Sequence, residues 1–133
     1  MTSNEPVTLD VPHLGDLLES RGRTWKVYVE GYPGASFLGP RSSTYVRRHV
    51  PFLSFKNIQD DAGRCQRIVN ATVLGDDIRS GALPDYALYV PDLKHSGHDT
   101  GVSAADRWLS ETFGPLLRNQ HFMENMLFIV TFD

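Results

Sequence analysis

The run "YALYV", Tyr86 to Val90, constrains the fold more than any other stretch of the chain. It is continuous in apolar and aromatic residues and bounded by Pro84 and Pro91, as expected of a strand covered on both faces. A second such run, "NMLFIVTFD", closes the sequence and reads as another buried strand. Between them "VSAADRWLSETFGPLLRNQ" reads as a helix, with Leu109, Phe113, Leu116 and Leu117 on one side and Pro115 kinking or restarting it. Strands joined through helices predict an α/β protein with a doubly wound, mostly parallel sheet and helices on both faces. At 133 residues, one domain over 1–133 is the simplest organisation, large enough to bury about two-thirds of its unfolded surface.

The upstream half supplies shorter elements. In "LDVPHLGDLLESRG", Asp10 can cap a helix, Pro12 suits its first turn, Leu14, Leu17 and Leu18 share a face, and Gly22 can end it. "TWKVYVE" alternates Trp25, Val27 and Val29 with Lys26, Tyr28 and Glu30, which is the period of a strand. After the glycine- and proline-rich loop "GYPGASFLGP", "SSTYVRRH" reads as a short helix capped by Ser42 or Ser43 and stopped by Pro51. "PFLSF" is a short extended or irregular piece, and "DDAGRCQRIV" and "LGDDIRSGAL" read as two short helices. No repeat or low-complexity tract interrupts the pattern. In open parallel sheets ligands gather beyond the carboxyl ends of strands, which points to Asp92 through Asp99 and to Asp133, on one edge of the sheet.

Composition narrows the possible partners. A net charge of −3 gives no global attraction to nucleic acid or acidic membrane. The aromatics fall at core spacings and form no stacking platform, so no nucleic-acid partner is expected. No run approaches the roughly 20 apolar residues of a membrane span. Cys65 has no thiol partner, which excludes an internal disulfide and a thiolate-rich zinc site, and it reads as a structural thiol. "MTSNEPVTLD" lacks the pattern of a signal peptide, so the chain reads as cytoplasmic as it stands, or secreted if it is a piece of a longer precursor.

The candidate chemistry lies in three places. The loop "DLKHSGHD" carries Asp92, His95, His98 and Asp99, whose imidazoles and carboxylates are ligands for zinc, manganese or iron. The same residues also make an ordinary turn, with Thr100 or Ser103 capping the next helix. Asp133 is either a strand-end ligand or a solvated chain end. "RSSTYVRRHVP" gathers Arg41, Arg47, Arg48 and His49, either as guanidinium forks for phosphate oxygens or as a solvated helix face. Glu30 is a third strand-end carboxylate.

Taken in order, "DLLESRGRTWKVYVEGYPG", "YVRRHVPFLSF", "RCQRIV", "LPDYALYVPDLKHSGHDTG" and "WLSETFGPLLRNQHFMENMLFIVTFD" resemble the fungal acid phosphatases of the phosphoesterase family, within the alkaline-phosphatase-like superfamily. "GHDT" and "TFD" are the most specific blocks. The resemblance implies a phosphoester hydrolase with a divalent metal ion and a phosphate-ester substrate. It places His98, Asp99 and Asp133 at the metal, and His98, Arg48 and His49 at the phosphate, and it matches Glu30 to a recurrent glutamate. The hydroxyl nucleophile of the family belongs to an upstream region that this sequence does not contain, so no catalytic nucleophile is assigned. The expectation is a central portion of such an enzyme with little activity alone. The alternative is a non-catalytic binding or scaffold protein, self-associating as a homo-oligomer.

Overall fold

The computed structural model describes residues 6–132, in two compact units, 1–93 and 94–133. In the first unit, α1 (Leu14–Ser20) leads into β1 (Trp25–Val29). His13, rather than Asp10, caps α1. Its Nδ1 accepts from the Gly15 N–H at 2.9 Å, and the Asp16 carboxylate accepts from the His13 N–H at 2.9 Å, a reciprocal capping box. The imidazole is held in place by Asn57 Oδ1 at 2.9 Å and by the ring of Phe55, contacts that a local reading of the sequence does not reveal. Of the three leucines expected to share a buried face, Leu18 packs on the core while Leu14 and Leu17 stay exposed. Gly22 takes a φ of +66° and turns the chain from α1 into β1.

The chain then forms a hairpin of two-residue strands, β2 (Arg41–Ser42) and β3 (Tyr45–Val46), and 3₁₀ turns at Arg47–His49 and Pro51–Ser54. The short helix expected over "SSTYVRRH" is therefore replaced by a hairpin and a turn. Ser43 adopts a left-handed φ of +52° that reverses the chain. Buried Arg47 then locks the turn, donating to the carbonyls of Leu38 at 2.7 Å, Leu53 at 2.8 Å and Val7 at 3.3 Å. Two one-turn helices, α2 (Lys56–Gln59) and α3 (Ala62–Cys65), precede β4 (Ile68–Asn70). Next come α4 (Leu74–Ser80) and β5 (Tyr86–Val90). The sequence reading assigned "RIV" to the end of a helix, but Ile68 begins a strand.

The three longer strands form a parallel sheet in the order β4–β1–β5. Trp25, Val27 and Val29 project from one side of β1 into a core with Tyr32, Tyr45, Val50, Phe52, Leu53, Ile58 and Cys65. Lys26 and Tyr28 meet α4, where Lys26 Nζ and Tyr28 Oη both donate to Asp77 Oδ2 at 2.6 Å. β5 is a sheet edge among the described residues; Val90 is buried, Ala87 is exposed and the rest is half-buried. Its continuous apolar run therefore does not reflect full cover.

In the second unit, α5 (Val102–Leu117) runs unbroken through Pro115, which falls in its last turn, where one missing N–H costs little continuity. Phe113 is buried, packed against Trp108 and Phe128, while Leu117 is exposed. A short α6 (Gln120–Met123) follows, capped by Asn119. Residues 125–132 form no strand, and Leu127, Ile129, Val130 and Phe132 are exposed. The expected second buried strand is thus not formed here, because a strand exists only with a ladder partner and these residues make no such pairing.

Candidate active site

β1 and β5 end side by side, because Val29 pairs with Val90, and the residues just beyond carry the polar groups. The Glu30 N–H donates to the Val90 carbonyl at 3.0 Å. Its carboxylate takes two more donors from the same segment: Tyr89 Oη at 2.9 Å on Oε1, and the Asp92 N–H at 2.9 Å on Oε2. The strand register explains this placement. Tyr89 pairs with Tyr28, and Glu30, two residues beyond Tyr28, projects from the same face, diagonal to Tyr89 and within reach of a long side chain. Asp92 brings its own carboxylate within 4.8 Å of Glu30, and both residues are half-buried. Two carboxylates this close repel as bare anions, and they form a hard oxygen donor set of the kind a divalent cation takes.

The Tyr89 phenol has its pKa pushed up, first by burial, then by the Glu30 charge and hydrogen bond and by Asp92. It therefore remains a proton donor wherever the carboxylates are ionised. The strand order places these groups at a distinctive point. The chain winds from β1 to β4, then crosses back to pair β5 on the other side of β1, so the direction of winding reverses between β1 and β5. The crevice at such a reversal is where open α/β sheets bind ligands.

The hairpin sits on the same edge. The Leu93 N–H donates to the Thr44 carbonyl at 3.1 Å, and Gly31, at φ +67°, faces Thr44 and Tyr45 so that a Cβ would lie 3.6 Å from each. Arg48 and His49 follow β3 directly; Arg48 is exposed and His49 half-buried. Arg47, between Val46 and Arg48, is committed to three backbone carbonyls and belongs to the scaffold. The end of β4 is similarly committed. Asn70 donates to the Tyr32 carbonyl at 2.9 Å and accepts from the Thr72 N–H at 3.1 Å.

In the second unit, His98 Nδ1 and Asp99 Oδ1 lie 2.7 Å apart, and both side chains are exposed. Gly101 begins α5 without any side-chain cap, so neither Thr100 nor Ser103 caps it, and the Thr100 hydroxyl donates to the Lys94 carbonyl instead. The His95 ring stacks on Trp108, with centroids 5.0 Å apart. Asp133 lies outside the described residues. Sequence reasoning singled out Glu30 but read Tyr89 only as part of a strand, and it included Asp92 without preferring it. Both lie within two residues of Pro91 at a strand end, which is the one signal that could have marked them.

In this α/β chain, polar groups converge beyond the strand ends where the order of the parallel sheet reverses. This chain belongs to the phosphoesterase family, whose sequence pattern matches residues 3–133. It is 35% identical over 131 residues to a probable acid phosphatase of Kluyveromyces lactis, and 33% identical over 129 residues to a phosphate-repressible acid phosphatase of Penicillium chrysogenum. Each alignment covers 93% of this chain and 31% of the relative. A phosphatidylinositol-3-phosphatase of Mycobacterium tuberculosis is 25% identical over 123 residues, covering 92% of this chain and 39% of that protein. The chain thus spans well under half the length of these relatives. No solved structure matches it. Among the described residues, no helix is long and apolar enough to cross a membrane.

Proposed function

We propose that this chain forms part of the active site of a phosphoester hydrolase, the part that holds a divalent cation and the charge of the phosphate. The observation that carries the reading is the convergence of Glu30 and Asp92 at the β1–β5 reversal in a chain of the phosphoesterase family. The two carboxylates supply oxygen ligands. Carboxylate oxygens suit magnesium, calcium or manganese. A cation bound there supplies Lewis-acid polarisation of a phosphoryl oxygen.

His98, its ring oriented by the adjacent Asp99 carboxylate, is assigned to the phosphate or to a metal, with Asp99 beside it. Arg48 and His49 offset phosphate charge from the turn after β3. Asp133 is kept as a metal ligand on the family resemblance alone. The doubly wound architecture, the alkaline-phosphatase-like superfamily and a single domain over 1–133 belong to the same reading; the family match runs through both units, which supports it.

The test is calorimetric titration of the full chain with Mn²⁺ and with inorganic phosphate, alongside turnover of an aryl phosphate. Phosphate binding that depends on Mn²⁺ and is lost in Glu30→Gln and Asp92→Asn is expected, with little turnover. Phosphate binding indifferent to Mn²⁺ and to both substitutions sinks the reading. The exposed side chains of Leu127, Ile129 and Phe132 favour a second reading, a self-associating scaffold from the same core. Phosphate binding without any turnover, in a chain that sediments as an oligomer, would select it.

A further inference from the structure

We propose that residues 127–132 pair as a β-strand with the same residues of a second copy, antiparallel about a two-fold axis; this rests on the self-associating reading above and names its contact. The stretch "LFIVTF" holds three β-branched and two aromatic residues, with no charge, proline or glycine. That composition favours strands and is the signature of segments that stack with their own kind. Leu127 is 82% exposed, Ile129 72%, Val130 60% and Phe132 96%, so most of the apolar surface of the segment faces water. Its backbone is as open as its side chains. Among the described residues, the last backbone hydrogen bond runs from the Met126 N–H to the Met123 carbonyl at 3.2 Å, and residues 127–132 make none. Phe128 is the anchor, its ring centroid 5.5 Å from that of Phe113 on α5.

A row of free N–H and C=O groups flanked by apolar side chains is a template for another strand. An identical copy is the occupant that the segment itself fits. An antiparallel pairing about a two-fold axis makes every contact twice. Residues 125–132 carry no charge, so no like charges meet across the ladder. Opposite residues face the same side of a ribbon, so the fullest overlap sets Ile129 or Val130 on the axis, opposite its own copy. Leu127 and Ile129 then share one face, and Val130 and Phe132 the other. The size of the contact sets its strength. A six-residue strand is about 20 Å long, and one such edge falls well short of the roughly 800 Å² per partner of a standard stable interface. The dimer is therefore weak and depends on concentration. The pairing also accounts for a run that reads as a strand yet has no ladder partner among the described residues.

Sedimentation velocity of the full chain over a wide range of concentration is expected to pass from monomer to dimer. Ile129→Glu, which brings carboxylates together across the ladder, and Val130→Pro, which removes a ladder N–H, are expected to stay monomeric. Neither backbone position makes a hydrogen bond among the described residues, so helix content by circular dichroism and thermal unfolding should match wild type. Val102→Glu, at another exposed apolar residue, is the control and should dimerise like wild type. Under mild oxidation either Ile129→Cys or Val130→Cys should form a disulfide-linked dimer, because Cys65 is buried and the residue on the axis faces its copy at bonding distance. A chain that is monomeric at every concentration overturns both the pairing and the self-associating reading. Association that survives Ile129→Glu and Val130→Pro, or that Val102→Glu abolishes equally, overturns the pairing and leaves that reading standing. Loss of association in both segment variants, with no disulfide in either cysteine variant, means that the segment docks elsewhere on the partner, such as the β5 edge, and overturns the self-pairing.

Discussion

Asp77, on the sheet-facing side of α4, takes Lys26 Nζ and Tyr28 Oη on a single oxygen, each at 2.6 Å, and is buried. Burial by itself would raise its pKa, but the hydrogen bonds from Lys26 and Tyr28 and the Lys26 charge outweigh it and hold the carboxyl below its ordinary value. A carboxyl whose pKa falls on folding contributes stability that is present above its unfolded pKa, about 3.9, and is lost as pH falls through the folded value. Asp77→Ala is expected to cost about 2–3 kcal/mol in urea unfolding at pH 7, since it strands a buried hydroxyl and a half-covered ammonium. The difference from wild type should shrink below about pH 4. Asp85 follows the same sign more steeply. The Thr24 N–H and hydroxyl, then Arg23, bring its pKa to about 2, so a carboxyl titration by NMR should show its midpoint near that value. At this scale the sequence was informative about position and blind to partnership. Glu30 could be read as a strand-end carboxylate, whereas its bonds to Tyr89 and Asp92 depend on the register of two strands about sixty residues apart.

The elements show where local pattern prevails and where it is overridden. α4 ends at Gly81, whose φ of +70° places it in the left-handed region while its N–H bonds the Asp77 and Ile78 carbonyls. A Cβ there would meet no atom within 4 Å, so Gly81→Ala carries conformational strain and no clash. It is expected to lower stability by about 1 kcal/mol, read as a shifted urea midpoint with an unchanged slope. A larger loss would mean that Gly81 packs more closely than the structure shows. Elements like α4, β1 and β5 were legible because capping residues, alternation or flanking prolines marked them. β4 was not, since three residues, Ile68–Asn70, are too few to show a period and owe their strand conformation to pairing with β1. The hairpin at Ser42–Tyr45 was likewise hidden, because Arg47 reaches to carbonyls from Val7 to Leu53 that no local window contains.

At the scale of the molecule, the hydrophobic core is confined to one part of the chain. Every member of the core cluster, from Trp25 to Val90, and every half-buried residue packed on it falls within residues 1–93. The sheet and the Glu30–Tyr89–Asp92 group fall there too. Residues 94–133 hold one long helix, a short one and an aromatic cluster around Phe113, with four apolar side chains near the end exposed. A segment of this size is near the limit of about 40 residues below which a chain seldom folds without staples, and an isolated 16-residue helix is marginal in water. A chain of residues 1–93 is therefore expected to unfold cooperatively in urea, followed by fluorescence from Trp25, the only tryptophan left once Trp108 is removed. A peptide of residues 94–133 should show partial helicity by circular dichroism and no cooperative transition. The shortened chain keeps both carboxylates and Tyr89, so it should still bind Mn²⁺. Loss of Mn²⁺ binding in a folded 1–93 would count against those carboxylates as the cation site, and a non-cooperative transition in 1–93 would show that the core needs the second unit to fold.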